Sequence, residues 1–178
     1  MALDMEGEFY KLARNILSKP KKLYKMAALA PRSGRVAIMG ADGFVMVGSS
    51  ILRSFTRGPE KKAYRVGKKA GKEMFGSLIK EFDEEIKDLP PSKLLDLGRM
   101  LVSSLGWGDI SVKDINKKKG RVIVHARRTV ELKYKRSKHH QLTNGMIAGV
   151  ATMAMGREMD GEVVEENTKS VTFVLNGS

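Results

Sequence analysis

Two predicted helices of this chain carry glycines in a pattern that indicates tight packing. Between residues 59 and 86, small and apolar side chains recur at helical spacing, with Gly67 and Gly71 in the middle of the stripe. A glycine costs a helix about 1 kcal/mol relative to alanine. Two glycines on the apolar face of one helix therefore indicate close contact with another backbone. Residues 141–156 predict a second helix, rich in small residues and methionines, in which Gly145-x-x-x-Gly149 reads as a packing motif.

The other hydrophobic patterns predict short helices and strand pairs. Residues 6–18 suit a helix that Pro20 stops, and a basic linker follows it. The further predicted helices span 49–56 and 93–105, the latter capped by Ser92, and the predicted strands span 35–39, 44–47, 109–115, 121–126, 129–134, 162–166 and 170–175. We expect an α+β fold, with helices packed on a small antiparallel sheet. Residues 1–33 form an N-terminal helical arm and residues 34–178 form the domain.

Composition excludes several classes of site. The 178 residues contain no cysteine, which rules out disulfides, thiolate metal sites and cysteine nucleophiles. No apolar run approaches the roughly 20 residues that span a bilayer. The first eight residues are acidic and lack the apolar core of a signal peptide. We therefore expect a cytoplasmic protein.

The net charge of +13 leaves two interpretations open. A surplus of cations attracts polyanions such as nucleic acid, anionic lipid or an acidic protein. A Lys- and Glu-rich surface is also typical of thermophilic proteins, where ion-pair networks are common. For nucleic acid, the candidate residues are Arg127, Arg128, Lys133, Lys135, Arg136 and Lys138. Tyr134 lies among them and offers a stacking group.

Five segments, taken in order, resemble the 4-vinyl-reductase-type domain. They are Tyr64-Arg-Val-Gly-Lys-Lys-Ala-Gly71, Leu105-Gly-Trp-Gly-Asp109, Gln141-Leu-Thr-Asn-Gly-Met-Ile-Ala-Gly-Val150, Gly161-Glu-Val-Val-Glu-Glu-Asn167 and Val171-Thr-Phe-Val-Leu175. The resemblance covers roughly residues 34–175. It implies a fold shared with the TRAPP vesicle-tethering subunits and with aromatic-sensing domains of bacterial regulators. It also implies a homodimer and an apolar ligand or tunnel.

Some members of that family bind zinc through cysteines and a glutamate near the last helix and the last hairpin. In this sequence His139 or His140 stands near one cysteine position, and Glu165 or Glu166 remains. The hairpin cysteines are replaced by residues such as Thr168. Zinc usually requires four ligands, so we expect no metal.

The candidate ligand-binding residues are Trp107, His139, His140, Met146 and Glu165. Three histidines without a Ser/His/Asp grouping offer no nucleophilic mechanism, and no phosphate loop or cofactor fingerprint is present. We expect no enzyme and no cofactor. The function predicted is binding or sensing of a small apolar molecule. The alternatives are a nucleic-acid-associated basic protein and a TRAPP-like scaffold or trafficking subunit.

Overall fold

The computed structural model describes residues 27–30, 35–38, 41–44, 60–104, 107–129, 131–132 and 140–178. In chain order the elements are β1 (Ala27–Ala30), β2 (Arg35–Ile38), β3 (Ala41–Phe44), α1 (Glu60–Glu81), α2 (Asp83–Ile86), α3 (Pro91–Ser104), β4 (Asp109–Asn116), β5 (Arg121–Arg127), α4 (Gln141–Met155), β6 (Met159–Glu166) and β7 (Ser170–Gly177). The predicted helices at 6–18 and 49–56 lie outside the described residues.

The first three strands form a small antiparallel sheet in the order β1-β2-β3. Strand β1 lies in the segment that the sequence analysis assigned to the linker, and it pairs with β2 along its whole length. The predicted hairpin is present, but β3 begins at Ala41 rather than Phe44, because Ile38 pairs with Ala41 and closes the hairpin within fewer residues. The division of the chain at residue 33 stays a prediction.

The second sheet is antiparallel in the order β4-β5-β7-β6. Its four strands match those predicted around residues 109, 121, 162 and 170. The strand predicted at 129–134 is wrong over its described part. Arg128 takes a φ of 54°, which turns the chain away from an extended path. The Thr129 hydroxyl then accepts a hydrogen bond from the Leu132 amide at 3.2 Å, which forms a local turn.

Helices α3 and α4 pack on the second sheet, and α1 packs on the outer side of α4. Helix α4 contacts β6 and β7, α3 contacts β4 and α4, and α1 packs against α4. The sheet and helices together confirm the predicted α+β class. The buried core includes Phe75, Phe82 and Phe173, each without exposed surface. Within the described residues, no helix combines the length and the apolar character that a membrane crossing requires.

Helix α1 is shorter than predicted, and α3 starts earlier. The long helix ends at Glu81 because Phe82 leaves helical geometry at φ −119°, ψ 28° before α2 begins. Ser92 is not the cap of α3, since the helix begins at Pro91 and the Lys93 amide donates to the Pro90 carbonyl at 2.8 Å. Proline suits a first helical turn because its missing N–H is not needed there. Val66 of α1 lies off the buried face and is 44% exposed, although its spacing suits the apolar stripe predicted between residues 59 and 86.

Candidate functional site

An apolar crevice opens between α3, α4 and the inner face of the second sheet. Its volume is about 20 Å³. The lining residues are Leu95, Arg99, Val102, Ile110, Val112, Val124, Ile147 and Val150. Arg99 is the single charged side chain among them, and its Nε donates to the Asp96 carboxylate at 2.9 Å. The crevice therefore has aliphatic walls and one cation at its edge.

Elementary periodicity brings these side chains together. Neighbouring residues of a strand point to opposite faces, so Ile110 and Val112 of β4 share the inner face. Residues three or four apart in a helix share a stripe, which places Ile147 and Val150 on one side of α4. Gly98 lets α3 approach α4 closely, because a Cβ at this position would overlap the Val150 side chain. The crevice is thus formed where four well-packed elements meet.

Trp107 follows α3, one of the helices that form this crevice. Its half-buried side chain packs against the hydrophobic core. Its amide donates to the carbonyl of Val102, a lining residue, at 3.3 Å. Gly108 follows with a φ of 125°, a conformation that L side chains rarely adopt, and so turns the chain from α3 into β4. Trp107 is not among the side chains that line the crevice, so its assignment to ligand binding stays a prediction.

Met146 lies at a different interface. It is 3% exposed and belongs to the core, but it is not part of the crevice lining. Its backbone faces α1, because a Cβ added to Gly67 or Gly71 would run into Met146 main-chain atoms. The structure therefore places Met146 where the two glycine-bearing helices touch.

A buried carboxylate that the sequence analysis missed caps helix α4. Glu131 is 1% exposed. Its Oε1 accepts a hydrogen bond from the Leu142 amide at 3.2 Å, and its Oε2 accepts one from the Thr143 amide at 2.8 Å. A carboxylate at this helix end satisfies free N–H groups and complements the helix dipole. Glu131 is too distant in sequence to match a local capping pattern, so only the turn after Arg128 brings it there.

His140 immediately precedes α4 and is 1% exposed. It takes a φ of 43°, in the left-handed region that non-glycine residues seldom occupy. Its Nε2 lies 3.0 Å from the Glu166 Oε1. In the described part of the chain, neither ring nitrogen of His140 forms a hydrogen bond. The contact with Glu166 is therefore one of distance alone, without hydrogen-bond geometry. His139 lies outside the described residues.

Glu166, rather than Glu165, faces His140, and a β-bulge is the reason. The register of β6 on β7 shifts between Val163 and Glu165. One extra residue in a strand turns every later side chain to the other face. Glu165 therefore pairs across from Thr172 on the outer face, where its Oε2 accepts from the Thr172 hydroxyl at 3.4 Å. The predicted grouping of Glu165 with His140 is not formed.

Two of the predicted nucleic-acid-binding residues line a second pocket at one end of the sheet, which we call the end pocket. It has a volume of about 570 Å³ and is lined by Asp109, Arg127, Arg128, Leu132, Thr168 and Lys169. The other predicted residues of this set, Lys133, Lys135, Arg136 and Lys138, lie outside the described part of the chain.

Within the described residues, no group of three histidine or carboxylate side chains is placed to hold a metal ion.

An ionic cluster ties α1 to the start of β6. Lys68 Nζ lies 2.6 Å from Asp160 Oδ1 and 3.2 Å from Glu158 Oε2, and Lys72 also pairs with Glu158. The Tyr64 hydroxyl donates to Asp160 at 3.0 Å and accepts from the Gly161 amide at 2.9 Å. The hydrogen bond from Lys68 lowers the pKa of Asp160, and the one from Lys72 lowers the pKa of Glu158. This cluster stabilises the sheet edge.

Comparison with known proteins identifies the fold. No protein family and no curated protein matches the chain. Among solved structures, the chain is similar to the phenol-responsive sensory domain of the transcription activator PoxR, at 12% identity and a TM-score of 0.66, over 99% of this chain and 92% of that chain. At this identity the likeness shows a shared α+β fold.

A weaker likeness links the chain to an oxygen-binding H-NOX domain related to soluble guanylate cyclases. That match has 12% identity and a TM-score of 0.42, over 100% of this chain and 95% of that chain. This score is too low to establish a common fold. The resemblance to the 4-vinyl-reductase-type domain stays a prediction.

Proposed function

We propose that this chain is a non-catalytic domain that binds a small apolar molecule in the apolar crevice. The observation that carries the proposal is the crevice itself, in which seven of the eight lining side chains are aliphatic. Ligand sites in proteins are mostly apolar, with few polar groups that orient the ligand. The fold shared with a phenol-responsive sensory domain supports the same class of ligand.

The size of the crevice determines how a ligand would enter. A volume of about 20 Å³ accommodates about one water molecule. An organic ligand must therefore displace the walls, and Val112 is the one aliphatic lining side chain that is half-buried rather than buried. Burial of an aliphatic or aromatic ligand would be driven by about 25 cal/mol for each Å² of apolar surface removed from water. Arg99 would offer a hydrogen bond to a hydroxyl or carboxylate of the ligand.

The lining residues support binding rather than catalysis. They include no carboxylate, imidazole or hydroxyl that would act as an acid, base or nucleophile. Arg99 is held by Asp96 at the edge. We therefore assign the crevice a recognition role.

The test uses phenol and toluene as probes and Trp107, the single tryptophan of the chain, as the fluorescent reporter. We expect either probe to change the Trp107 emission and to raise the melting temperature, since a ligand at roughly 100 times its Kd stabilises a fold by about 2.7 kcal/mol. Val112→Phe would fill the crevice and abolish both effects. Ile115→Phe is the matched control, because Ile115 is also half-buried on β4 but does not line the crevice.

Two results would overturn this proposal. One is the absence of any shift with either probe, which would favour the TRAPP-like scaffold alternative. The other is a ligand response that Val112→Phe and Ile115→Phe reduce equally.

The homodimer implied by the family resemblance is tested on the same samples by native mass spectrometry, where a single-chain mass at micromolar concentration would contradict it.

A further inference from the structure

The end pocket lies at the opposite face of β4 from the apolar crevice. Asp109 lines the end pocket and the next residue, Ile110, lines the crevice, because successive strand residues point to opposite faces. Cross-strand pairing of Asp109 with Arg127, and of Arg127 with Ser170, brings the start of β4, the end of β5 and the β6–β7 turn together. The pocket is therefore separate from the site of the proposed function.

Cations dominate this pocket. The lining includes three cations, Arg127, Arg128 and Lys169, and one carboxylate, that of Asp109. Arg128 Nη1 approaches Asp109 Oδ2 only to 3.9 Å, with side chains 85% and 55% exposed, so the two charges neutralise each other weakly. Within the described part of the chain, Arg127 and Lys169 form no ion pair. The pocket thus holds a surplus of positive charge that its own residues leave unneutralised.

The backbone that carries the two arginines is fixed on the β5 side. Gly108 packs so tightly there that a Cβ would lie 2.6 Å from the Arg127 carbonyl oxygen and 3.0 Å from the Thr129 Cα. Arg128 takes the left-handed φ of 54°. Strained conformations of non-glycine residues persist only where the surroundings fix them, and they concentrate at binding sites. The hydrogen bond from the Leu132 amide to the Thr129 hydroxyl closes this turn.

The opposite wall is fixed by Asn167. Its Oδ1 accepts hydrogen bonds from the Lys169 and Ser170 amides, both at 2.9 Å, and its Nδ2 donates to the Ser170 hydroxyl at 2.9 Å. These bonds define the β6–β7 turn and present Thr168 and Lys169 to the pocket. The backbone of both walls is therefore fixed before a ligand binds, which reduces the entropy lost on binding.

We propose that the end pocket binds a phosphoryl group. Arginine matches phosphate oxygens with a planar set of donors, and lysine adds a compact charge. The pocket volume of about 570 Å³ falls in the range of small-molecule sites, and Leu132 supplies an apolar wall for the rest of the ligand. The phosphoryl group comes either from a small free phosphate compound or from a nucleic-acid backbone that reaches into the pocket. Both sources offer the same chemistry to the three cations.

The experiment measures binding of inorganic pyrophosphate by calorimetry, and of a fluorescent single-stranded DNA oligomer by anisotropy, each at about 0.05 M and about 0.2 M salt. The pocket variant carries Arg127→Gln and Lys169→Gln. The matched control carries Arg121→Gln and Lys118→Gln, which remove the same two charges from exposed positions at the other end of the sheet. Thermal melts of both variants verify that they fold.

We expect the pocket variant to weaken pyrophosphate binding by about tenfold or more, and the control variant to change it by less than about twofold. Loss of DNA binding in the pocket variant alone, without measurable pyrophosphate binding, would assign the site to nucleic-acid phosphates. Equal losses in both variants would reduce the effect to the overall charge of +13 and overturn the proposal. So would the absence of binding to both probes at the lower salt concentration.

Discussion

Gly71 of α1 lies directly against the carbonyl oxygen of Met146 in α4, so closely that a Cβ at Gly71 would overlap this oxygen. The contact is reciprocal along the helix pair. A Cβ at Gly145 would overlap the Tyr64 carbonyl oxygen, and one at Gly149 would overlap that of Lys68. The two helices therefore touch backbone to backbone, and this close packing sets the position of α4 on the sheet.

The first prediction concerns this helix contact. Gly71→Ala forces the helices apart, and we expect a loss of about 1–3 kcal/mol in the free energy of unfolding, the usual range for overpacking. Gly76→Ala is the matched control on the same helix, since its added Cβ meets only the mobile end of the Met153 side chain, at 3.3 Å. That control should gain up to about 1 kcal/mol from helix propensity. Urea unfolding measures both, and equal effects would contradict the packing.

The second prediction concerns Glu131 as the cap of α4. Glu131→Gln replaces one accepting oxygen with an NH₂ group that faces a backbone N–H. We expect a loss of about 1–2 kcal/mol in stability. Glu165→Gln, on the exposed outer face, should change stability by less than about 0.5 kcal/mol. Chemical denaturation of the two variants compares them, and an equally mild effect of Glu131→Gln would mean that the carboxylate does not cap the helix.

The third prediction concerns pH. Because the Lys68 hydrogen bond lowers the pKa of Asp160, its stabilisation is complete above the unfolded pKa of about 3.9 and is lost as the pH falls through the lower folded pKa. We expect Asp160→Asn to be less stable than the wild type at neutral pH by about 0.5–1 kcal/mol. The difference should disappear in strong acid. Asp114→Asn, at an exposed position of β4, should change stability at neutral pH by less than about 0.5 kcal/mol. A constant offset between Asp160→Asn and the wild type at all pH values would contradict the ionic mechanism.

The fourth prediction concerns the left-handed backbone of Arg128. Glycine adopts this φ without a steric penalty, whereas alanine does not. Arg128→Gly should therefore be more stable than Arg128→Ala by about 1 kcal/mol, although both remove the same side chain. Thermal unfolding of the two variants measures the free-energy cost of the left-handed backbone at residue 128. An Arg128→Ala variant as stable as Arg128→Gly would show that the residue is not strained.

Most of the helices and strands could be predicted from the sequence. Helical periodicity located α1, α3 and α4, and alternation located all four strands of the second sheet. The glycines at 67 and 71 correctly indicated a backbone contact, because glycine on a buried helix face has few other physical reasons to be there. These features depend on residues close together in the chain, and local patterns report them directly.

The candidate site was predicted less well. None of the predicted ligand-binding residues that the structure describes lines the crevice. Its lining comes from ordinary aliphatic residues such as Val112, Val124 and Val150, which carry no distinctive signal. Their proximity depends on how α3 and α4 lie on the sheet. Glu131 was missed for the same reason, since its role exists only where a distant turn meets the start of α4.

The sequence by itself therefore determined the order and type of the main elements. It also determined the close approach of α1 and α4 at their glycine-bearing faces. Only the tertiary structure decided which side chains meet. The clearest case is the pair Glu165 and Glu166. Simple alternation from Val163 would put Glu165 on the inner face, but the bulge in β6 turns it outward and brings Glu166 to His140. A bulge arises from pairing with β7, so its position follows from a long-range register that no local pattern of β6 contains.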